Sequence, residues 1–303
     1  MYTLVTGGTG FVGRQLLPHL QHPLVVSRSA APSPDSSSLP AGDGPPRIQW
    51  GDPQRERLSI PAQFPIDSIV HLLGEPIDAH RWTTQQKAKI RDSRVRSTEN
   101  LVRTIEHLNP RPTTLVSASA MGYYGDRGDE LLSESAPPGH GFLAETCVAW
   151  ESAALAAEEL GLRVVRLRIS IVLGNGGALA KMLPVFRIGA GGNLGNGQQW
   201  MSWIHVGDLA RLIAFCLQTA TVFGPVNAAS PHSVRNIEFT QALARAVHRP
   251  ACLTVPRFAL RLRFGEFADT LFDSVRLEPT VASQAGFQFQ FPELDAALAD
   301  VLQ

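Results

Sequence analysis

A glycine-rich turn near the N-terminus places the strongest constraint on the fold. Residues 4–13 read LVTGGTGFVG, so an apolar run leads directly into the spacing Gly-x-x-Gly-x-x-Gly, and the segment Phe11–Leu20 then has a helical pattern. Glycines at this spacing allow a tight turn between a strand and a helix and let a pyrophosphate approach the backbone. The turn predicts a dinucleotide site whose contacts would be Gly7, Thr9, Gly10, Phe11, Val12 and Gly13.

Short apolar runs alternate with longer amphipathic segments up to residue 170. The strand-like runs are Tyr2–Thr6, Leu24–Ser27, Ile48–Trp50, Ser68–Leu73, Thr114–Ser119 and Arg163–Ile169. The helix-like segments between them are Phe11–Leu20, Thr84–Leu108 and Leu143–Leu160. Because the runs are almost continuously apolar, they suit strands that are covered on both faces. The alternation predicts an α/β fold of the Rossmann type, with a doubly wound parallel sheet.

The pattern changes after residue 170. Eight glycines occur in residues 174–197, around a short helix near Leu179–Arg187. The later predicted elements are a strand at Trp203–His205, a helix to Leu217, a last sheet strand at Gly224–Ala228, a helix capped by Asn236 that runs to Val247, a strand at Leu253–Val255 and a terminal helix opened by Pro292. Residues Ser29–Pro46, which are rich in Pro, Ser and Gly, are expected to form a loop.

These boundaries predict two units. Residues 1–170, with residues 202–228 returning to them, would form a nucleotide-binding Rossmann domain. Residues 171–201 and 229–303 would form a smaller C-terminal α/β lobe that binds the substrate.

Charge and composition exclude several classes of protein. The chain has 27 basic and 27 acidic side chains among 303 residues, which argues against a nucleic-acid binder and a polybasic membrane-surface protein. It has no apolar stretch of about 20 residues, and no signal peptide is expected. Three widely spaced cysteines are expected to be buried thiols in a reducing cytoplasm, and no residue spacing indicates a metal site. We therefore expect a cytoplasmic protein that acts on a small molecule.

The end of the second strand distinguishes two dinucleotides. An NAD site usually has Asp or Glu about 20 residues beyond the glycines, where it bonds the ribose 2′-hydroxyl. This chain has Ser27 and Arg28 there. A carboxylate would repel a 2′-phosphate, whereas arginine pairs with it in a bidentate geometry. Unless Arg28 is only a surface residue, the pattern predicts NADP(H), preferred over NAD(H) by about tenfold or more.

Further motifs follow the glycine turn along the whole chain. They are HLLG at 71–74, GEPI at 74–77, RW at 81–82, DSRV at 92–95, VSAS at 116–119, GYYG at 122–125, IVLG at 171–174, QWMSW at 199–203, WIHVGD at 203–208 and FPEL at 291–294. In this order they resemble the extended short-chain dehydrogenase/reductases. Within that superfamily they resemble an atypical subgroup of NAD-dependent epimerase/dehydratase-like "epimerase family" proteins, some of which are labelled cell-division inhibitors.

The resemblance implies a role for individual residues. Gly7, Gly10 and Gly13 would cradle the pyrophosphate, and Ser27 and Arg28 the 2′-phosphate. The remaining coenzyme contacts would come from Leu72, Leu73, Gly74, Glu75, Arg94 and Val172. Analogy with extended relatives also implies a homodimer through the two long helices, with a monomer as the alternative.

The reacting groups depart from the superfamily pattern. Most members use a Tyr-x-x-x-Lys pair at the start of the helix after the fifth strand, in which the lysine lowers the tyrosine pKa from about 10. In this chain that place reads GFLAETC, residues 141–147, and its nearest ionisable group is Glu145. Ordinary hydride transfer assisted by a tyrosinate is therefore in doubt.

Three other residues are candidates for catalysis. Ser119 matches the superfamily's catalytic serine, unless it is only a small residue at a strand end. Tyr124 or its neighbour Tyr123 would substitute as the acid, or would pack under a substrate lid. Glu75, if buried, would have a raised pKa that suits a general acid or base, or it would only bond loop backbone.

Two functions follow from this pattern. The first is an NADP(H)-dependent oxidoreductase or epimerase acting on a small carbonyl or hydroxyl substrate, such as a sugar nucleotide. The second is an inactive protein that senses the NADPH/NADP+ ratio and passes it to a partner.

Overall fold

The computed structural model describes residues 1–28 and 44–303, so most of the predicted loop Ser29–Pro46 lies outside the described residues. In that part of the chain the strands are β1 (Tyr2–Thr6), β2 (Pro23–Ser27), β3 (Arg47–Gln49), β4 (Ile66–His71), β5 (Thr114–Ala120), β6 (Leu131–Leu132), β7 (Arg163–Ile169), β8 (Ile171–Leu173), β9 (Gly192–Leu194), β10 (Trp200–Met201), β11 (Trp203–His205), β12 (Gly224–Ala228), β13 (Val234–Arg235), β14 (Leu253–Val255) and β15 (Arg276–Leu277).

The helices in the same residues are α1 (Phe11–Leu16), α2 (Thr84–Ile105), α3 (Phe142–Leu155), α4 (Gly177–Arg187), α5 (Val206–Gln218), α6 (Asn236–Ala246), α7 (Arg257–Phe264), α8 (Phe267–Thr270), α9 (Thr280–Gln284) and α10 (Leu294–Val301). Single turns of 3-10 helix follow α1, β5 and α3 at Leu17–His19, Met121–Tyr123 and Glu158–Leu160.

Seven strands form one parallel sheet in the order β12-β7-β5-β4-β1-β2-β3. The chain builds outward from β1 in one direction through β2 and β3 and in the other through β4, β5, β7 and β12. Ligands bind such sheets beyond the carboxyl ends of the strands, where the direction of building reverses. The predicted Rossmann-type fold is confirmed, and Gly224–Ala228 is the predicted last strand, at one edge of the sheet.

Helices cover both faces of this sheet. Neighbouring residues of a strand point to opposite faces, so in β1 Val5 packs with Leu16 and Ile213 while Leu4 packs with Leu101 on the other side. The side chains of Leu4 and Val5 are both fully buried. This double coverage explains why the strands are apolar at almost every position.

The remaining strands form four two-stranded sheets among the described residues, β8 with β11, β9 with β14, β6 with β15 and β10 with β13. Asp208, which is fully buried, fixes the C-terminal segment by accepting hydrogen bonds from the backbone N–H groups of Gln290 (2.9 Å) and Phe291 (2.8 Å). The division of the chain into two units stays a prediction. Across residues 1–28 and 44–303, no helix has the length and apolar character needed to span a membrane.

Two local predictions were wrong. Asn236 does not cap α6, because Arg235 stands at the cap position and the Asn236 amide oxygen accepts from the Leu194 N–H (2.8 Å), across to β9. Cys147 and Cys216 are buried as expected, but Cys252 is exposed, since it lies on the surface connection between α6 and β14.

Candidate functional site

The glycine turn between β1 and α1 is closely packed. Gly7 has φ +72°, a conformation that side chains disfavour, and its carbonyl accepts from the Gly10 N–H (2.9 Å). A side chain at Gly13 would place its Cβ 2.3 Å from the Gly7 oxygen and 2.6 Å from the Gly8 Cα. The start of α1 therefore rests directly on the turn, and only glycine permits this approach.

The first turn of α1 presents backbone donors. Gly10 stands at the cap position and offers no side chain, so within residues 1–28 and 44–303 no side-chain cap accepts from the N–H groups of the first turn. Arg14 steadies the turn, because its Nε donates to the Thr9 carbonyl (2.8 Å). This cradle of small residues and free amides suits a pyrophosphate.

The end of β4 lies against the same turn. The Leu72 N–H donates to the Thr6 carbonyl (3.1 Å), and a Cβ at Gly7 would lie 2.8 Å from the Leu72 oxygen. The structure thus brings Leu72 beside the glycines. Leu73 and Gly74 continue along this edge of the sheet.

Arg94 reaches this edge from α2. Its Nη1 donates to the carbonyls of Glu75 (2.9 Å) and Ile90 (3.0 Å), and its guanidinium lies 3.1 Å from where a Cβ at Gly74 would be. Burial lowers the pKa of Arg94. A side chain at position 74 would therefore displace the guanidinium from the strand end.

Phe11 connects α1 to the loop after β8. A Cβ at Gly174 would lie 2.7 Å from the Phe11 ring, and one at Gly176 would lie 2.6 Å from it. The glycine-rich segment therefore closes around the ring, which places Phe11 beside the loop that begins after Val172.

Ser27 and Arg28 end β2 at the same edge. Thr6 pairs with Val26, so Ser27 lies one residue beyond the end of β1. Arg28 is exposed, its carbonyl accepts from Gln49 Nε2 (3.2 Å), and its guanidinium contacts no partner in the described part of the chain.

The candidate acid-base residue Glu75 differs from its expected setting. Its side chain is only partly buried, whereas the hypothesis of a general acid or base assumed a buried one. Its backbone makes the structural bonds, since its N–H donates to Ser93 Oγ (3.0 Å) and its carbonyl accepts from Arg94.

Tyr124 occupies the position of a packing residue. Its side chain is 0% exposed, and its hydroxyl donates to Asn227 Oδ1 (2.7 Å) and accepts from Arg168 Nη1 (2.8 Å). Burial raises the pKa of Tyr124 to about 12. Because the hydroxyl is enclosed and fully engaged, this geometry argues against Tyr124 as the acid that meets a substrate.

Ser119 belongs to a buried charged network. Its Oγ donates to Glu151 Oε1 (2.7 Å), and both carboxylate oxygens also accept from Arg168, through Nε (2.9 Å) and Nη2 (3.0 Å). Arg166 Nη1 adds a fourth contact at 3.2 Å. Ser119 is buried, so in this conformation its hydroxyl is used to hydrogen-bond Glu151 and is not exposed to a substrate.

The segment in the place of the Tyr-x-x-x-Lys pair begins α3. Cys147 is buried there, and burial raises the pKa of its thiol to about 12. The 3-10 turn after β5 rests on the same segment, because a Cβ at Gly122 would lie 3.2 Å from the Leu143 Cβ.

The sequence reasoning missed Glu151, Arg166, Arg168 and Asn227. One signal was present, because two arginines spaced two apart in an apolar strand face the same side, and buried charges need partners. The sequence did not identify Glu151 as that partner, since a glutamate in the middle of a helix usually faces solvent.

Known proteins resemble this chain over its whole length. A family model described as the NAD dependent epimerase/dehydratase family matches residues 3–229, and one described as Domain of unknown function (DUF1731) matches residues 255–301. The "Epimerase family protein SDR39U1 homolog, chloroplastic" of Arabidopsis thaliana is 39% identical over 310 residues, which cover 100% of this chain and 87% of that protein.

Two solved structures share both the fold and about 30% of the sequence with this chain. The crystal structure of human epimerase family protein SDR39U1 (isoform 2) with NADPH has a TM-score of 0.86 and 31% identity, covering 100% of this chain and 99% of that one. The nucleoside-diphosphate sugar epimerase from Corynebacterium glutamicum has a TM-score of 0.75 and 30% identity, covering 100% of this chain and 58% of that one. The resemblance stated from the sequence is confirmed, and the chain belongs to the NAD dependent epimerase/dehydratase family.

Proposed function

We propose that this protein is an NADP(H)-dependent oxidoreductase or epimerase of the short-chain dehydrogenase/reductase type, acting on a small carbonyl or hydroxyl substrate such as a sugar nucleotide. The observation that carries the proposal is the glycine turn, where Gly13 leaves α1 in direct contact with Gly7 and no described side chain caps the helix. The human relative, which is similar over the whole chain, was crystallised with NADPH.

The coenzyme would lie across the carboxyl edge of the sheet. The turn Gly7–Gly13 would hold the pyrophosphate, with Thr9 before α1 and with Phe11 and Val12 in the first turn of that helix. Leu72 and Leu73 would line the adenosine and its ribose, while Gly74, Glu75, Arg94 and Val172 would meet the nicotinamide half. When bound, the nicotinamide supplies or accepts a hydride.

Arg28 would select the phosphorylated coenzyme. Its guanidinium is exposed at the end of β2 and is not committed to another described side chain. A charge-assisted bond to a 2′-phosphate would use both of its planar donors. Ser27 precedes it and would contact the same phosphate.

The reacting groups must differ from the superfamily pattern, because its tyrosine and lysine are absent from residues 141–147. Because its proton is donated to Glu151, Ser119 Oγ would accept a hydrogen bond from a substrate hydroxyl but has no proton for a carbonyl oxygen. Glu75, which is partly buried beside Arg94, would act from the nicotinamide side.

A second function has one observation in its favour. The hydroxyls of Ser119 and Tyr124 are both buried and bonded within the protein. A protein that binds NADP(H) without turning over a substrate, and that reports the redox state of the coenzyme to a partner, would need neither hydroxyl free.

One experiment separates the two functions. NADPH oxidation is measured across a panel of carbonyl compounds and keto-sugar nucleotides, with Ser119→Ala as the comparison. The proposed enzyme predicts turnover by the wild type that Ser119→Ala lowers. Tight NADPH binding with no turnover, together with a partner that binds in only one redox state, would favour the sensor.

A further inference from the structure

Tyr123 and Tyr124 are neighbours in the chain but have different surroundings. Tyr123 is partly exposed, and its hydroxyl bonds to nothing within residues 1–28 and 44–303. The two rings meet edge to face, with their centroids 5.2 Å apart. Of this adjacent pair, Tyr123 is the phenol that a ligand can reach, since the Tyr124 hydroxyl is enclosed by Asn227 and Arg168.

A buried guanidinium covers the Tyr123 ring. The Cζ atom of Arg168 lies 3.5 Å from the ring centroid, and Arg168 is only 2% exposed. Its position is fixed by paired hydrogen bonds to Glu151 and by Nη1 bonds to the Tyr124 hydroxyl and the Glu134 carbonyl. A cation held against an aromatic face is attracted by it, and a fixed positive charge also stabilises a negative oxygen formed nearby.

The position of this pair in the fold is the second observation. Tyr123 ends the 3-10 turn that follows β5, at the carboxyl edge of the sheet. Its neighbour Gly122 is close-packed on Leu143, within the segment 141–147 that has neither tyrosine nor lysine. Tyr123 and Arg168 therefore lie beside segment 141–147. That segment is where most of the superfamily has its tyrosine and lysine.

We propose that Tyr123 is the proton-transferring residue of this site and that Arg168 supplies the fixed positive charge beside it. This inference rests on the proposed function. In the reducing direction bound NADPH would supply the hydride that adds to the substrate carbonyl carbon, and NADP+ would be the oxidised product. Tyr123 Oη gives its proton to the carbonyl oxygen, which becomes a hydroxyl. The phenolate formed next to Arg168 then takes a proton from water, and oxidation reverses each transfer.

Chemical footprinting tests where Tyr123 lies. Tetranitromethane nitrates accessible phenols, and the full chain has three tyrosines, so mass spectrometry resolves every site. Tyr2 is partly exposed at the opposite end of β1 from the glycine turn and serves as an internal control. NADP+ is the protecting ligand, because the reagent oxidises NADPH. We expect nitration of Tyr123 and Tyr2 and none of Tyr124.

Coenzyme binding should change this pattern at one site. At 100 times the Kd about 1% of the protein is free, so NADP+ should slow nitration of Tyr123 by at least about tenfold and leave Tyr2 unchanged. Equal nitration of Tyr123 in free and NADP+-saturated protein would overturn the inference. Calorimetry on the same samples shows whether NADP+ is bound, so absent binding is recognised as failure of the proposed function.

Two matched variants test proton transfer. In the carbonyl panel, Tyr123→Phe should lower kcat by about 10²–10⁴-fold, and the Kd for NADP+ should change little. Tyr2→Phe, which removes a hydroxyl at the opposite end of β1 from the glycine turn, should keep the turnover of the wild type. Wild-type kcat in Tyr123→Phe overturns this inference alone, whereas no turnover by the wild type overturns the proposed enzyme and the inference together.

Discussion

The glycine turn and the buried network lie at the same edge of the sheet but are built in different ways. The turn is held by backbone packing, because Gly7 and Gly13 allow α1 to pack directly against the end of β1. The buried network is held by side chains, because Arg168 in β7 and Ser119 in β5 both donate hydrogen bonds to Glu151 in α3. The turn needs only residues that are close in sequence. Binding geometry can therefore follow the family pattern while the reacting groups depart from it.

Breaking the network should have the largest effect on stability. Arg168→Met removes the paired partner of a buried carboxylate, and losing one member of a buried pair costs about 3–5 kcal/mol. Urea unfolding at pH 7.5 measures this cost. Arg245→Met is the control, because its partner Asp295 and Arg245 itself are well exposed and such pairs contribute about 0–1 kcal/mol. Equal stability of the two variants would mean that the network is not a stabilising feature.

A substitution that disrupts the glycine turn should mainly weaken coenzyme binding. Gly13→Ala puts a methyl group 2.3 Å from the Gly7 oxygen, so α1 and the turn must separate and the amide cradle is lost. We expect NADPH to bind at least about a hundredfold more weakly, or about 2.7 kcal/mol. In Gly44→Ala the added Cβ meets nothing within 4 Å, so its affinity should equal that of the wild type. An unchanged Kd in Gly13→Ala would contradict the proposed cradle.

These two regions also mark how far the sequence could predict the structure. The strands, the Rossmann order and the glycine turn depend on patterns within a few residues, so they could be read from the chain. The ends of the sheet strands moved by up to two residues, as in Ile66–His71 where Ser68–Leu73 was expected, and α1, α2 and α3 ended three to five residues earlier than expected.

The network could not be predicted in the same way. Nothing in the sequence pairs Glu151 with Arg168, because that contact depends on how α3 docks on β7. The same docking distinguishes Tyr124 from Tyr123, which look equivalent on a loop flanked by glycines. The sequence leaves both tyrosines as candidates for the acid, and only the packing shows that Tyr124 is buried whereas Tyr123 is partly exposed.

His71 lies between the two regions and makes them sensitive to pH. Its Nδ1 lies 2.7 Å from Thr6 Oγ1 and its Nε2 lies 3.0 Å from Thr98 Oγ1, and burial lowers the pKa of His71 to about 4. Because the unfolded chain takes up this proton near pH 6.5, stability should fall as the pH drops from about 6.5 towards 4. The loss at pH 5 should be about 2 kcal/mol relative to pH 7.5.

Urea unfolding at both pH values checks this, with His71→Asn as the comparison. Asp273 acts in the opposite direction, because burial, together with nearby Asp126, raises the pKa of Asp273 to about 6 and so favours the folded state at lower pH. The difference between wild type and His71→Asn removes that contribution. If the two proteins lose the same stability between pH 7.5 and pH 5, His71 is not the group that titrates.

The smallest expected effect concerns Arg28, whose long side chain is proposed to meet the 2′-phosphate of the coenzyme. Arg28→Ala should weaken NADPH by about tenfold and leave NADH unchanged, because only the phosphorylated coenzyme meets the guanidinium. Competition binding with both coenzymes measures the ratio. A variant that keeps the full preference for NADPH would assign the 2′-phosphate to another residue.

Titration calorimetry of the wild-type protein with NADPH and NADH tests the central claim most directly. If the β1–α1 turn and Arg28 form one coenzyme site, NADPH binds with one site per chain and at least about tenfold more tightly than NADH. Folded protein that binds neither NADPH nor NADP+ would contradict the account, whatever activity it shows.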